Sequence, residues 1–557
     1  MHDQGLLERA RRRFRNAVHP SVEVSPAPAG VQVDWNVPVV LRDGTTLRVN
    51  VFRPMQDAPA PAIMSAHPYN KDAIPAKTRS GRRANFQYRI FPQPGLVQVS
   101  AWTSWEAPDP AFWVPRGYVV VNADLRGGGT AEGEDELLSD QEAQDYYDLV
   151  EWVGTQPWCT GKVGLDGVSY LAISQYKVAA LRPPHLAAIC PWEGLSDPYR
   201  DFARPGGVRE DGFSIIWSTM TRREARISGD MRKEIVARPE LDAWYQAHTP
   251  KLEAIDVPML VCGSFSDHSL HTRGSFEAFR RTSSTQKWLY THRGGKWSTY
   301  YGQEASQTRA RFFDYALKGA DNGWDAEPAV RIAIHEAGPK PIEVVHESTW
   351  PPAGLTWTSL HLDAGRGRLL EEELPDPVTV SFATRDDMVS FEWIAPHDLD
   401  IIGHLAARLH VQLRGVDDMN LFVGIRKIRE GREVSFEGSF GFAYDMVTKG
   451  WQRLAHRELD VDLSTPWQPV HTHRQAEPAV PGEVVAVDIA LRPQATRFCA
   501  GDVLRLDIRG DWFYPRDPVR GQLPVGYQKS KRGTCVLHTG GEHDSFVYLG
   551  HRPASGR

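Results

Sequence analysis

The chain has 557 residues, more than one hydrophobic core usually organises, so two or three domains are expected. It is 41% hydrophobic and 24% charged, the balance of a soluble globular protein, and no apolar run approaches the ~20 residues of a membrane span. A formal charge of −6 excludes a global basic footprint for nucleic acid or an acidic membrane surface, and five scattered cysteines without a CxxC pair argue against a disulfide framework or a zinc site.

Residues 1–29 carry Arg9, Arg11, Arg12, Arg13 and Arg15 with no apolar stretch behind them. That pattern predicts a basic surface helix rather than a secretory leader, and a cytoplasmic location is the default expectation. Val31–Leu41 and Thr46–Arg53 alternate like a hairpin around the turn residues Arg42, Asp43 and Gly44. Short apolar runs follow at Ala62–Ala66, Tyr118–Ala123, Val163–Leu165, Leu186–Cys190, Met259–Gly263 and Lys287–Thr291, the form of buried parallel strands. Between two of them, Ser139 and Glu142 read as a capping box, and Ala143, Tyr146, Val150 and Val153 as one apolar helical stripe ended by Gly154 and Pro157.

Alternation of this kind predicts an α/β domain over residues 30–195 and 251–318, a mostly parallel sheet covered on both faces. Residues 196–250 interrupt it with charged helical segments, which read either as an inserted cap over the sheet's C-terminal edge or as a charged surface excursion. Beyond a linker at Gly319–Glu327, residues 328–557 switch to short alternating segments, among them Val330–Ile334, His404–Leu413, Leu421–Ile428, Val484–Leu491 and Val503–Ile508. They predict an all-β domain of jelly-roll type.

The segment Gly161-Lys-Val-Gly-Leu-Asp-Gly-Val-Ser-Tyr-Leu-Ala172 runs from a strand through a serine into a helix. Such a turn presents a hydroxyl at a sheet edge, where it becomes a nucleophile if a histidine and a carboxylate reach it. Position 171 is leucine, so the motif departs from Gly-x-Ser-x-Gly, and Gly212-Phe-Ser214 matches the bare Gly-x-Ser without a preceding strand. In a doubly wound hydrolase the order is Ser, Asp, His. Asp267, in the small-residue loop after the strand at Met259, fits the acid; its other reading is a cap for the helix near Thr272. His292, ending the next strand, fits the base, with His268 and His271 as competitors beside Asp267. A histidine adjacent to its own acid is expected to point its ring elsewhere, which favours His292. The Tyr170 N–H and the Tyr69 phenol, in the loop after Ala66, are the oxyanion-hole candidates.

Taken together, Gly167-Val-Ser-Tyr-Leu171, Gln156-Pro-Trp-Cys-Thr-Gly-Lys-Val-Gly164, His67-Pro-Tyr-Asn-Lys71 and Asp124-Leu-Arg-Gly127 resemble the cocaine-esterase-like (CocE/NonD) hydrolases, relatives of X-Pro dipeptidyl peptidases and α-amino-acid ester hydrolases. The resemblance spans nearly the whole chain. It implies an α/β-hydrolase fold with a cap and a C-terminal jelly roll, Ser169 as nucleophile, Asp267 as acid, and Tyr69 with Tyr170 at the oxyanion. The family's Gly-Pro-Trp-x-His after the last strand is replaced here by Tyr290-Thr-His-Arg-Gly-Gly-Lys-Trp297, so His292 lies a few residues early.

The reading is a serine hydrolase that cleaves carboxylic esters through an acyl-enzyme, with no metal or organic cofactor. Its partner is a small ester or amide substrate, with neither nucleic acid nor membrane; self-association is left open. An amidase or X-Pro-type peptidase on the same machinery is the rival, needing an acidic anchor for the substrate amine such as Glu193 or Asp197. A non-catalytic binding protein is the third. Trp102, Trp105, Phe112 and Trp113 are cleft or packing candidates, and Trp393 and Trp451 are assigned to the core.

Overall fold

The computed structural model describes residues 2–56, 58–79, 81–517 and 521–555. The N-terminal segment forms helix α1 (His2–Val18), and Asn16 in its last turn donates to the Tyr88 and Arg89 carbonyls. Apart from four short strands that pair in two-stranded sheets, the strands that follow are β1 (Val31–Val40), β2 (Thr46–Pro54), β3 (Ala60–His67), β4 (Val119–Asp124), β5 (Cys159–Val168), β6 (Leu186–Trp192), β7 (Met259–Ser264), β8 (Lys287–His292), β9 (Val330–Ile334) and β10 (Glu343–Glu347). They form one sheet in the order β10-β9-β8-β7-β6-β5-β3-β4-β2-β1, parallel from β4 through β9 and antiparallel at both ends.

Alternation along each strand feeds two cores. Val119, Val121 and Ala123 of β4 join Met64 and Leu165 on one face, whereas Val120 joins Ile63, Phe312 and Phe313 on the other. Helix α2 (Asp140–Gly154) buries its predicted stripe on the first face; the Ser139 side chain caps it by accepting the Glu142 N–H at 3.1 Å. The Glu142 carboxylate accepts from the Leu138 N–H and the Tyr170 hydroxyl. Helix α3 (Tyr170–Ala179) is buried along its whole length. Residues 196–250 hold a π-helical turn (Pro198–Ala203) and helices α4 (Phe213–Glu224), α5 (Met231–Ala237) and α6 (Ala243–His248), the helical excursion that the charge pattern suggested. Helix α7 (Thr272–Arg281) joins β7 to β8, and α8 (Gln303–Lys318) covers the second face so closely that a Cβ on Gly164 would meet Phe313 at 2.7 Å.

One boundary differs from expectation. Val330–Ile334, read as the start of the all-β domain, is instead β9: it pairs in parallel with β8 and then antiparallel with β10. Five apolar-rich residues suit either sheet, and the short linker after α8 returns the chain to the sheet it has just left. The separate β-domain begins with Thr356–Asp363. Its strands close a ring: Leu399–Arg414 pairs with Val484–Phe498, and then in turn come Thr448–Arg453, Asn420–Arg429, Val503–Arg509, Met388–Ile394, Arg368–Leu370, Thr356–Asp363 and Phe546–Pro553, the last returning to Leu399–Arg414. This barrel encloses its own core of Leu, Ile, Val and Phe side chains. Among the described residues no helix is long and apolar enough to cross a membrane, and no two cysteines are bonded.

Candidate active site

Ser169 sits between β5 and α3 with φ 60° and ψ −115°, a conformation few non-glycine residues adopt. The elbow needs Gly167, at φ 153°, because a Cβ there would lie 2.5 Å from the Leu171 Cβ. Two backbone bonds hold the turn: the Val168 N–H donates to the Glu106 carbonyl at 3.1 Å, and the Ser169 N–H to the Trp192 carbonyl at 3.0 Å. As the first residue of α3, Tyr170 has an N–H with no acceptor inside its own helix.

Past β7 the chain makes one helical turn before α7. The N–H groups of Leu270, His271 and Thr272 all converge on the Asp267 carbonyl at 3.2 Å. Side chains four apart on such a turn are neighbours. The Asp267 Oδ2 therefore meets His271 Nδ1 at 2.5 Å, and His271 Nε2 lies 3.1 Å from the Ser169 Oγ. With the imidazole proton on Nδ1 and donated to that carboxylate, the Nε2 lone pair is left to accept the serine hydroxyl. All three groups are buried or nearly so and open onto a cavity of about 660 Å³.

His292, the expected base, is not brought to Ser169. The last residue of β8 stacks on Trp192 at 5.9 Å; its Nε2 faces Glu193 Oε1 at 3.1 Å and its Nδ1 accepts the Gly294 N–H. Both ring nitrogens are thus directed away from the hydroxyl. His271 takes the place instead, because the turn after Asp267 is helical rather than extended and folds the ring back onto its acid. In the segment where the resemblance calls for Gly-Pro-Trp-x-His, the chain has Gly295, Lys296, Trp297, Ser298 and Thr299, so threonine stands at the histidine position and lysine at the proline. His268 is buried toward the barrel, with Nδ1 3.9 Å from Asp445.

Lys296 brings a cation into the site, its Nζ 2.8 Å from Asp267 Oδ2 and 3.0 Å from His271 Nδ1. Burial first, and the Lys296 ammonium second, hold the His271 pKa below its ordinary value. Burial works against ionisation of Asp267, but Lys296 and His271 outweigh it and keep that carboxylate far below the usual range. Burial pushes Glu106 up to about 7, opposed by Lys296 and by the hydrogen bond from Trp297 Nε1 at 2.9 Å.

Tyr69 lines the same cavity from the loop after β3, 5.7 Å from the Tyr170 ring. Its oxygen accepts the Trp217 Nε1–H at 2.7 Å, which leaves its own hydrogen available to a group in the cavity. Burial raises the Tyr69 pKa far above the ordinary phenol, so it remains a donor. Trp217 belongs to α4, and no local motif in the sequence marks it, Glu106 or Lys296 as part of the site. Trp105 lines the cavity; Trp113 is core, and so is Trp451 in the barrel domain.

Comparison with known proteins follows the same outline. Residues 43–296 match the X-Pro dipeptidyl-peptidase (S15) family, and residues 322–548 match the X-Pro dipeptidyl-peptidase C-terminal non-catalytic domain. A solved CocE/NonD family hydrolase from Staphylococcus aureus is 33% identical, with a TM-score of 0.88 over 94% of this chain and 97% of that one. The cocaine esterase of Rhodococcus sp. is 26% identical over 92% of this chain and 97% of its own length. An α-amino acid ester hydrolase shares the fold at 15% identity, with a TM-score of 0.68 over 94% of this chain and 98% of that one.

Proposed function

We propose, for a chain that belongs to the CocE/NonD hydrolase family, that it cleaves carboxylic esters by passing the acyl group through Ser169. The observation that carries this reading is the continuous path Ser169 Oγ to His271 Nε2 at 3.1 Å and His271 Nδ1 to Asp267 at 2.5 Å, opening onto one cavity. Ser169 attacks the ester carbonyl while His271 takes its proton. The tetrahedral oxyanion accepts from the Tyr170 N–H and the Tyr69 hydroxyl. His271 then protonates the leaving alcohol, and water admitted in its place is deprotonated by the same imidazole to release the acid. Asp267 keeps the proton on Nδ1 and stabilises the imidazolium. Support for an ester rather than a peptide comes from the cocaine esterase relative, which spans both domains, and from the aromatic lining of Trp105, Phe213, Trp217 and Phe440.

Covalent labelling by a fluorophosphonate, mapped to Ser169, is the direct test. Ser169→Ala should abolish labelling and lower kcat for aryl esters ~10⁴-fold or more with the fold intact. Near-normal turnover by that variant would refute the assignment. The S15 match makes X-Pro amides the second substrate class, and turnover of such amides faster than matched esters would replace the first reading with a peptidase.

A further inference from the structure

Besides the proposed relay, the cavity contains an acid cage. Glu106 and Glu193 are both buried, both line the cavity, and both stand at positive φ, 62° and 51°. Each is attached to the nucleophile's turn through backbone: the Glu106 carbonyl accepts from Val168, and the carbonyl of Trp192, just before Glu193, accepts from Ser169. A carboxylate oxygen of Glu193, one of Asp267 and a ring nitrogen of His271 lie within 4.8 Å of one another. Among the described residues neither Glu193 oxygen has a partner in hydrogen-bonding geometry; the His292 ring faces one of them at 3.1 Å without the alignment of a bond. Such a cage beside a nucleophile would draw in a substrate ammonium carried next to the carbonyl. In this chain an ammonium is already there.

We propose that Lys296 is the resident cation of this cage and that it confines the enzyme to esters whose acyl group carries no amine beside the carbonyl. The inference rests on the hydrolase reading and adds a substrate class to it. The Lys296 Nζ is hydrogen-bonded to Asp267 at 2.8 Å, and the fields of Asp267, Glu193 and Glu106 together overcome its burial and keep it charged. The groups facing it are those three carboxylates and the His271 ring, with His292 on the far side of Glu193. A second ammonium would enter beside the first, against like charge in a largely desolvated site. It would find one carboxylate hydrogen-bonded to Lys296, one faced by an imidazole and one accepting from an indole N–H. Tyr69, Trp105, Phe213, Trp217 and Phe440 line the same cavity and favour an uncharged acyl chain, while Arg83, Arg89 and Arg223 add further positive charge to its wall.

The test compares methyl phenylacetate with methyl phenylglycinate, which differ only in the α-amine, using the full chain at a pH where the amine is protonated. Wild type should favour the uncharged ester at least tenfold in kcat/KM. Lys296→Met changes both rates, since Lys296 touches His271, so the ratio is the readout: it should narrow tenfold or invert. Lys296→Arg should keep the wild-type ratio, and adding Glu193→Gln to Lys296→Met should bring the discrimination back. Lys296→Gln replaces the methionine variant if that one does not fold. Equal use of both esters by wild type, or an unchanged ratio in a folded uncharged variant, overturns the proposal. The rate at which Ser169 is modified by a pair of phosphonates with and without the α-amine gives the same ratio independently of turnover. Modification at equal rates with esterase activity present sinks this inference alone, whereas no modification and no turnover sinks the hydrolase reading and the inference with it.

Discussion

At the scale of single residues, the proposed base is the point where structure and sequence expectation differ, and that difference can be measured. His271 reaches Ser169 and His292 does not, so His271→Asn should lower kcat ~10³-fold or more, as loss of a general base does, while His292→Asn should stay within about tenfold. The reverse ranking would return the role to His292. The pH profile follows from the same contacts. In the proposed role His271 acts only when neutral, so kcat/KM should fall as pH drops through its pKa. That pKa lies below the ordinary 6.5 through burial and the Lys296 cation, so the acid limb should lie below 6.5 in wild type. It should move upward in Lys296→Met, where one of the two depressing causes is gone. A limb that stays put in the variant would mean that the ammonium does not act on the imidazole. Ser169 and Asp267 were legible as candidates because a strand and a small-residue loop mark them in the chain. His271 is only a competitor in the sequence, which does not disclose that residues 267–271 wind into a helical turn, and only that turn brings Asp267 and the imidazole face to face. Glu106 could not be read at all: its role depends on a left-handed backbone that no local motif announces.

Among elements, the helical segment at residues 196–250 contributes directly to the cavity. Helix α4 delivers Trp217, whose indole N–H satisfies the Tyr69 oxygen and stacks its ring on Tyr170. The phenol hydrogen is then left for the cavity rather than for Trp217, the preorganisation that the proposed oxyanion donor needs. Tyr69→Phe should therefore lower kcat by ~10²-fold with little change in KM, in line with loss of one such donor. Trp217→Phe keeps the ring but not the N–H and should cost less, about tenfold, through misorientation of the phenol. Steady-state kinetics on one aryl ester checks both, and a KM effect without a kcat effect would recast Tyr69 as a binding residue. The parallel strands and the helical excursion could be anticipated, since apolar runs and charged helical segments alternate visibly; the order of the strands in the sheet is a matter of long-range pairing. The membership of β9 could not, because Val330–Ile334 carries the same pattern whether it extends the parallel sheet or begins the barrel; its partner β8 decides, and pairing is a long-range fact.

Over the whole molecule, the barrel holds the loops that carry the site. Arg492, on the strand Val484–Phe498, donates to the His268 carbonyl at 3.1 Å, between Asp267 and His271 in the chain. Ser439 donates to the Ser266 carbonyl from the same segment that places Phe440 against the cavity. In the other direction, Arg293, next to His292 at the end of β8, is fully buried and reaches across to the Met446 and Glu437 carbonyls, its guanidinium over the Phe436 ring at 4.2 Å. Acid and imidazole thus hang on a loop pinned from the second domain, so folding of the barrel and geometry of the site should not be separable. Arg293→Met removes the donors and leaves two buried carbonyls to find new partners, at ~1–3 kcal/mol for each that fails. The variant should lower Tm and kcat together, with the lost activity out of proportion to any change in KM. Calorimetry should still give one cooperative transition, because the pinning contacts are distributed over several residues. Two separate transitions in wild type, with esterase activity surviving the first, would show that the α/β domain holds its acid and base without the barrel.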